Sequence, residues 1–145
     1  MTVSTVPALV LRRVYDVPRE RLYQAWTDPT LAKEFLCPEG VTISEVSMDV
    51  RVGGEYRIVM QHADEALPVS GVYREVRPPE RLSMTWTWEE DEGVPTHETL
   101  LTLEFNVMGS GSELVLTHER LASVESRDRH TEGWNSILDK FAELK

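Results

Sequence analysis

Few side chains here have the types and spacing that do chemistry. The chain holds four histidines and one cysteine. His62 and His118 fall in step with apolar residues, after Tyr56, Ile58 and Met60 in one stretch and after Leu114 and Leu116 in the other. An imidazole with its pKa near ~6.5, facing an apolar cavity, serves as polar anchor or general base. Both positions also fall at strand ends, where a solvated rim is the plainer reading. His97-Glu98 and His118-Glu119 are adjacent pairs on strands, and neighbours on a strand point to opposite faces, so neither pair chelates one metal. His62 with Asp64 and Glu65 is a looser group. Cys37 is flanked by Glu34, Pro38 and Glu39, with Lys33 close. A reactive thiol needs an electropositive setting, so packing is its expected role. The run Glu89-Glu90-Asp91-Glu92 reads as a solvated loop end or as a partner-binding patch. G-x-S-x-G, P-loop, dinucleotide, H-E-x-x-H and C-x-x-C patterns do not occur. No catalytic residue, metal site or cofactor is assigned.

The strongest signal is an apolar face. Tyr56, Ile58, Met60, Met84, Trp86, Trp88, Leu103, Phe105, Leu116 and Trp134 all fall on the inward register of their elements. Such a face either fills a close-packed core or walls a pocket, since pockets are mostly apolar and aromatic with a few polar groups. Buried indole N–H groups need partners, and methionine suits adaptable binding surfaces. The expected ligand cavity comprises these ten residues with Phe35, His62, His118 and Leu138.

The elements that must position this face follow from periodicity. Trp134, Ile137, Leu138 and Phe141 recur at three- and four-residue intervals, with Leu144 extending the stripe, so a long amphipathic helix is expected from about 126 to 145. Ahead of it, alternation marks strands at about 8–16, 41–48, 55–62, 69–76, 82–88, 100–107 and 113–119. Arg13 falls in the apolar register of the first strand, so it belongs at the rim or beside a carboxylate. A bulge is expected in 41–48, where alternation is poor. Gly53-Gly54, Pro78-Pro79-Glu80 and Gly109-Ser110-Gly111-Ser112 mark turns, and 62–68 reads as a loop. Two short helices follow the first strand. Pro18 opens one, with Leu22, Ala25 and Trp26 inward. Asp28 caps the next, with Pro29 at its first position and Leu31, Phe35 and Leu36 inward. Short turns between successive strands imply antiparallel neighbours. The expected class is α+β: a curved antiparallel sheet of six to seven strands around the last helix.

At 145 residues one domain is expected, residues 8–145, behind a flexible arm at 1–7. A formal net charge of −10 argues against nucleic acid and against anionic membrane surfaces as partners. The start lacks a signal peptide's basic and apolar regions, and no run approaches a membrane span of ~18 apolar residues. A cytoplasmic protein is expected, with no disulfide within the chain, because it has one cysteine.

Six short motifs, in order, resemble a known family: Tyr15-Asp16-Val17-Pro18, Ala25-Trp26-Thr27-Asp28-Pro29, Asp49-Val50-Arg51-Val52-Gly53-Gly54, Gly71-Val72-Tyr73, Pro78-Pro79-Glu80-Arg81-Leu82 and Gly133-Trp134. Together they are similar to the domain named for the activator of Hsp90 ATPase, of the START/Bet v 1-like superfamily, over about residues 8 to 144. The resemblance implies a helix-grip fold, with a seven-stranded sheet curled around the C-terminal helix and a cavity between them that relatives often use for apolar ligands. One departure concerns the stretch Phe35-Leu36-Cys37-Pro38, where the family often carries a Trp-Trp pair before Gly-Pro. Three functions follow as expectations. The first is a binding protein for a small apolar or aromatic molecule, held between the Trp86/Trp88 strand and the Trp134 helix. The second is a co-chaperone-like module with a chaperone as partner. The third is a cyclase- or hydrolase-type enzyme with His62 or His118 as base. A monomer or a homodimer joined at a strand edge fits all three.

Overall fold

The computed structural model describes residues 6–88 and 98–144. Among these residues the order is β1 (Leu9–Tyr15), α1 (Arg19–Thr27), α2 (Pro29–Phe35), β2 (Thr42–Met48), β3 (Glu55–His62), β4 (Glu65–Arg77), β5 (Arg81–Trp88), β6 (Thr99–Met108), β7 (Gly111–Glu119) and α3 (Val124–Leu144). The strands form one antiparallel sheet in the order β1-β7-β6-β5-β4-β3-β2. Strands β2 to β6 each pair with the strand next in sequence, and β7 also pairs with β1. The two helices carry the chain from β1 to the opposite edge of the sheet. The curved sheet and the C-terminal helix make the helix-grip fold implied by the resemblance.

The elements form where the local chemistry asks for them. On α3, Trp134, Ile137, Leu138 and Phe141 are all buried, as their spacing requires. Asp28 caps α2, its Oδ1 accepting from the N–H of Thr30 at 2.8 Å and of Leu31 at 3.5 Å. Arg13 forms an ion pair with Asp139 at 2.5 Å and donates to Asn135 Oδ1 at 2.8 Å. The Tyr15 hydroxyl donates to the Leu138 carbonyl at 2.9 Å. These bonds fasten the C-terminal half of α3 to β1. The bulge expected in β2 lies between Ile43 and Glu45. A second irregularity falls in β4 between Tyr73 and Glu75. Gly53 takes φ +86°, and a Cβ on Gly54 would lie 2.0 Å from the Asp49 carbonyl, so the tight turn needs both glycines.

Two local expectations need correction. The stretch 62–68 is mostly strand: the chain reverses at Ala63, whose φ is +55°, and β4 already runs from Glu65. Leu31 is exposed, and Ala32 takes the inner face of α2 beside Phe35. Val107 is exposed, because the inward register of β6 ends at Phe105. The acidic run 89–92, His97, most of the N-terminal arm and the side chain of Leu144 lie outside the described residues.

Candidate functional site

Between the N-terminal half of α3 and strands β3 to β6 lies a cavity of about 680 Å³. Its walls are Pro38, Met60, Leu67, Trp86, Trp88, Thr99, Ala122, Ser123, Ser126, Arg129, His130, Gly133, Trp134 and Ile137. Gly133 is one reason for the space: a Cβ there would meet no atom nearer than Pro38 Cγ, at 3.8 Å. A smaller cleft of about 330 Å³ lies at the opposite end, against α1, α2 and Phe141.

Two imidazoles organise the aromatic wall. Trp134 Nε1–H donates to His118 Nδ1 at 3.0 Å, so the His118 proton sits on Nε2. That Nε2–H donates to Thr99 Oγ1 at 2.7 Å, and the Thr99 hydroxyl donates to the Trp86 carbonyl at 2.6 Å. Burial pushes the His118 pKa down to about 3, with a smaller contribution from His130. His130 repeats the arrangement at the mouth. Its Nε2 accepts from Trp88 Nε1–H at 3.0 Å, so its Nδ1–H donates to the Ser126 carbonyl at 2.8 Å. Burial lowers its pKa, the Ser126 carbonyl opposes that shift, and Arg129 adds to it. The two imidazole rings meet edge to face at 4.8 Å. Trp86 stands between the other indoles, 4.9 Å from Trp134 and 5.8 Å from Trp88 between ring centroids. Its own N–H is buried without a partner among the described residues. Arg129 stands exposed at the rim, and no carboxylate among the described residues lies within ion-pair distance of it.

The structure places the expected site residues in three groups. Met60, Trp86, Trp88 and Trp134 line the cavity. Tyr56, Ile58, Met84, Leu103, Phe105, Leu116 and Leu138 are buried but lie outside its wall, in filled core. Phe105, for example, packs edge to face on Tyr23 of α1 at 5.5 Å. Phe35 also lies outside it, between Trp26 and Phe141, and borders the smaller cleft. His62 is exposed at the β3–β4 turn, away from the cavity. His118 is neither on the rim nor in the wall. It is fully buried because β7 runs between β1 and β6, where it faces Leu9 and Leu101, and because Trp134 bonds it from α3. With Nδ1 accepting and Nε2–H donating, His118 has no free lone pair with which to act as a base. Cys37 is buried, its thiol donating to the Val41 carbonyl at 3.1 Å. Burial raises the Cys37 pKa against the weaker pull of Lys140, so the thiol is protonated and inert.

Reading the sequence missed His130, Arg129, Ser126, Gly133 and Leu67 as wall residues. The α3 members carried a usable signal. Positions 126, 130, 133 and 137 follow helical spacing and share the stripe of Trp134, so the stripe extends a full two turns toward the N-terminus. Leu67 was hidden because its stretch reads as loop. Among the described residues, no group of three His, Cys, Asp or Glu side chains is arranged to hold a metal ion, and no helix is long and apolar enough to cross a membrane.

Comparison with known proteins adds to this geometry. The profile of the family described as activator of Hsp90 ATPase homolog 1-like protein matches residues 16–145. The AHSA1 protein of Silicibacter pomeroyi is 28% identical, with a TM-score of 0.86 over 95% of this chain and 96% of that one. Protein CV1439 of Chromobacterium violaceum is 26% identical, with a TM-score of 0.85 over 95% of this chain and 96% of that one. Protein NE0264 of Nitrosomonas europaea is 27% identical, with a TM-score of 0.81 over 98% of this chain and 96% of that one. No curated protein matches the sequence.

Proposed function

The chain belongs to the activator of Hsp90 ATPase homologue 1-like family, and from that premise we propose that it binds a small apolar or aromatic molecule between β5 and the first half of α3. Membership brings a ligand-binding fold in general terms. The observation that carries the specific reading is the convergence of Trp86, Trp88 and Trp134 on a cavity of about 680 Å³, within the size range of ligand sites. Two of these indoles have their N–H groups engaged by His118 and His130. The aromatic walls are thereby held in place before any ligand arrives, and preorganisation lowers the ordering cost of binding.

The test is a thermal-shift titration with neutral naphthalene-2-methanol on the wild type and on Gly133→Leu. The variant puts a side chain into the cavity from a position whose Cβ direction is open. A ligand at a hundredfold excess over its Kd adds about 2.7 kcal/mol, which raises Tm by roughly 7 °C in a chain of this size. The expected result is a rise in the wild type and none in Gly133→Leu, with both proteins folded by circular dichroism. Equal rises in the two, or a rise in neither, would contradict this use of the cavity. A chaperone partner, which the family description suggests, would act at the surface and be indifferent to Gly133→Leu. An enzymatic role finds no base in His62, which stands away from the cavity, or in His118, whose nitrogens are both engaged.

A further inference from the structure

The cavity wall is unbalanced in its hydrogen bonding. The ring nitrogens of His130 are both engaged, and so is the Thr99 hydroxyl, which donates to the Trp86 carbonyl and accepts from His118. Two polar side chains in the wall have no partner among the described residues, and both are donors only: the buried Trp86 indole N–H and the Arg129 guanidinium. Arg129 is the one charged residue of the described wall, which contains no carboxylate, although the chain as a whole carries −10. Ala122 and Ser123 place the N-terminus of α3 at the same mouth, where the helix dipole presents its positive end. An apolar body fits the indoles, Met60, Leu67 and Ile137. What remains unmatched asks for acceptor oxygens and negative charge.

We propose that the ligand is a small organic acid, its aromatic or aliphatic body against the three indoles and its carboxylate at Arg129. A second acceptor atom on the body would match the Trp86 N–H. This rests on the reading of the cavity as a ligand site. The net charge of the protein works against any anion, so a preference for the acid has to come from the local wall.

Isothermal titration calorimetry with a matched pair tests it: naphthalene-2-carboxylate and naphthalene-2-methanol at pH 7, on the wild type and on Arg129→Gln. Arg129 is exposed, so the variant keeps its fold. The wild type is expected to bind the carboxylate about tenfold more tightly than the alcohol, the scale of a charge-assisted hydrogen bond. In Arg129→Gln that preference disappears, and the carboxylate binds no more tightly than the alcohol. Equal affinities in the wild type, or a preference that survives in Arg129→Gln, would overturn the assignment of an acid and leave the cavity reading standing. Binding of neither probe by the wild type would overturn the cavity reading and the acid together.

Discussion

His118 and His130 do their work by staying neutral. Each uses one nitrogen to accept an indole N–H and the other to donate, and protonation would set N–H against N–H. Both folded-state pKa values are lowered, that of His118 to about 3. The unfolded chain therefore takes up protons near ~6.5 while the folded chain does not, and stability falls as pH drops below that value. Between pH 7 and pH 5 His118 alone accounts for a loss of about 2 kcal/mol, and His130 adds to it. Urea unfolding at pH 7 and pH 5 checks this. His118→Leu should lose distinctly less between the two pH values than the wild type. It should start about 1–3 kcal/mol lower at pH 7, because the Trp134 N–H loses its acceptor. At this scale the sequence is only partly legible. The inward register of His118 is visible in its alternation with Leu114 and Leu116. Its partners are not, since Trp134 and Thr99 lie on other elements.

Among the elements, α3 and the β4–β5 pair bear the clearest consequences. Gly133 lies inside a helix of 21 residues, and a Cβ there meets only Pro38 Cγ at 3.8 Å. Gly133→Ala is expected to stabilise the protein by about 0.8–1 kcal/mol through helix propensity, a rise of roughly 3 °C in Tm. A fall in Tm would mean that the backbone needs the glycine. Gly71 is the opposite case. A Cβ there would lie 2.0 Å from the Thr85 carbonyl, which also accepts the Tyr56 hydroxyl at 2.5 Å. Gly71→Val should cost about 2 kcal/mol or more, because two backbones must separate. Chemical denaturation checks it, and a variant of wild-type stability would contradict the close approach. The strands and α3 were legible because period-2 and period-3.6 patterns are local properties. The start of β4 was not, because Ala63 reverses the chain with no glycine to mark the turn. Nor was the exposure of Leu31, since α2 is too short for its apolar spacing to separate Leu31 from Ala32.

For the molecule as a whole, the fold follows from the sum of these patterns, and the hollow does not. Whether an apolar face fills or stays open depends on how far α3 stands from the sheet. That distance is held by the fastening of the C-terminal half of the helix to β1 and by the Trp88–His130 contact at the other end. Neither of these is a periodic signal. Of the fourteen positions expected to form the cavity, the four on its wall are Met60, Trp86, Trp88 and Trp134. Most of the others are buried in filled core, and Phe35 borders the smaller cleft.

The central claim, that the cavity takes a ligand, is tested most directly by the indole N–H signals of the four tryptophans in a ¹H–¹⁵N spectrum, assigned with single Trp→Phe variants. Trp86, Trp88 and Trp134 line the cavity, whereas Trp26 packs on Phe35 outside its wall. Titration with naphthalene-2-methanol should move the first three signals together and saturably, and Trp26, which touches a cavity indole only through Trp134 at 6.0 Å, least. Three unmoved cavity signals at saturating ligand, or a shift of Trp26 alone, would contradict the assignment of this cavity as the binding site.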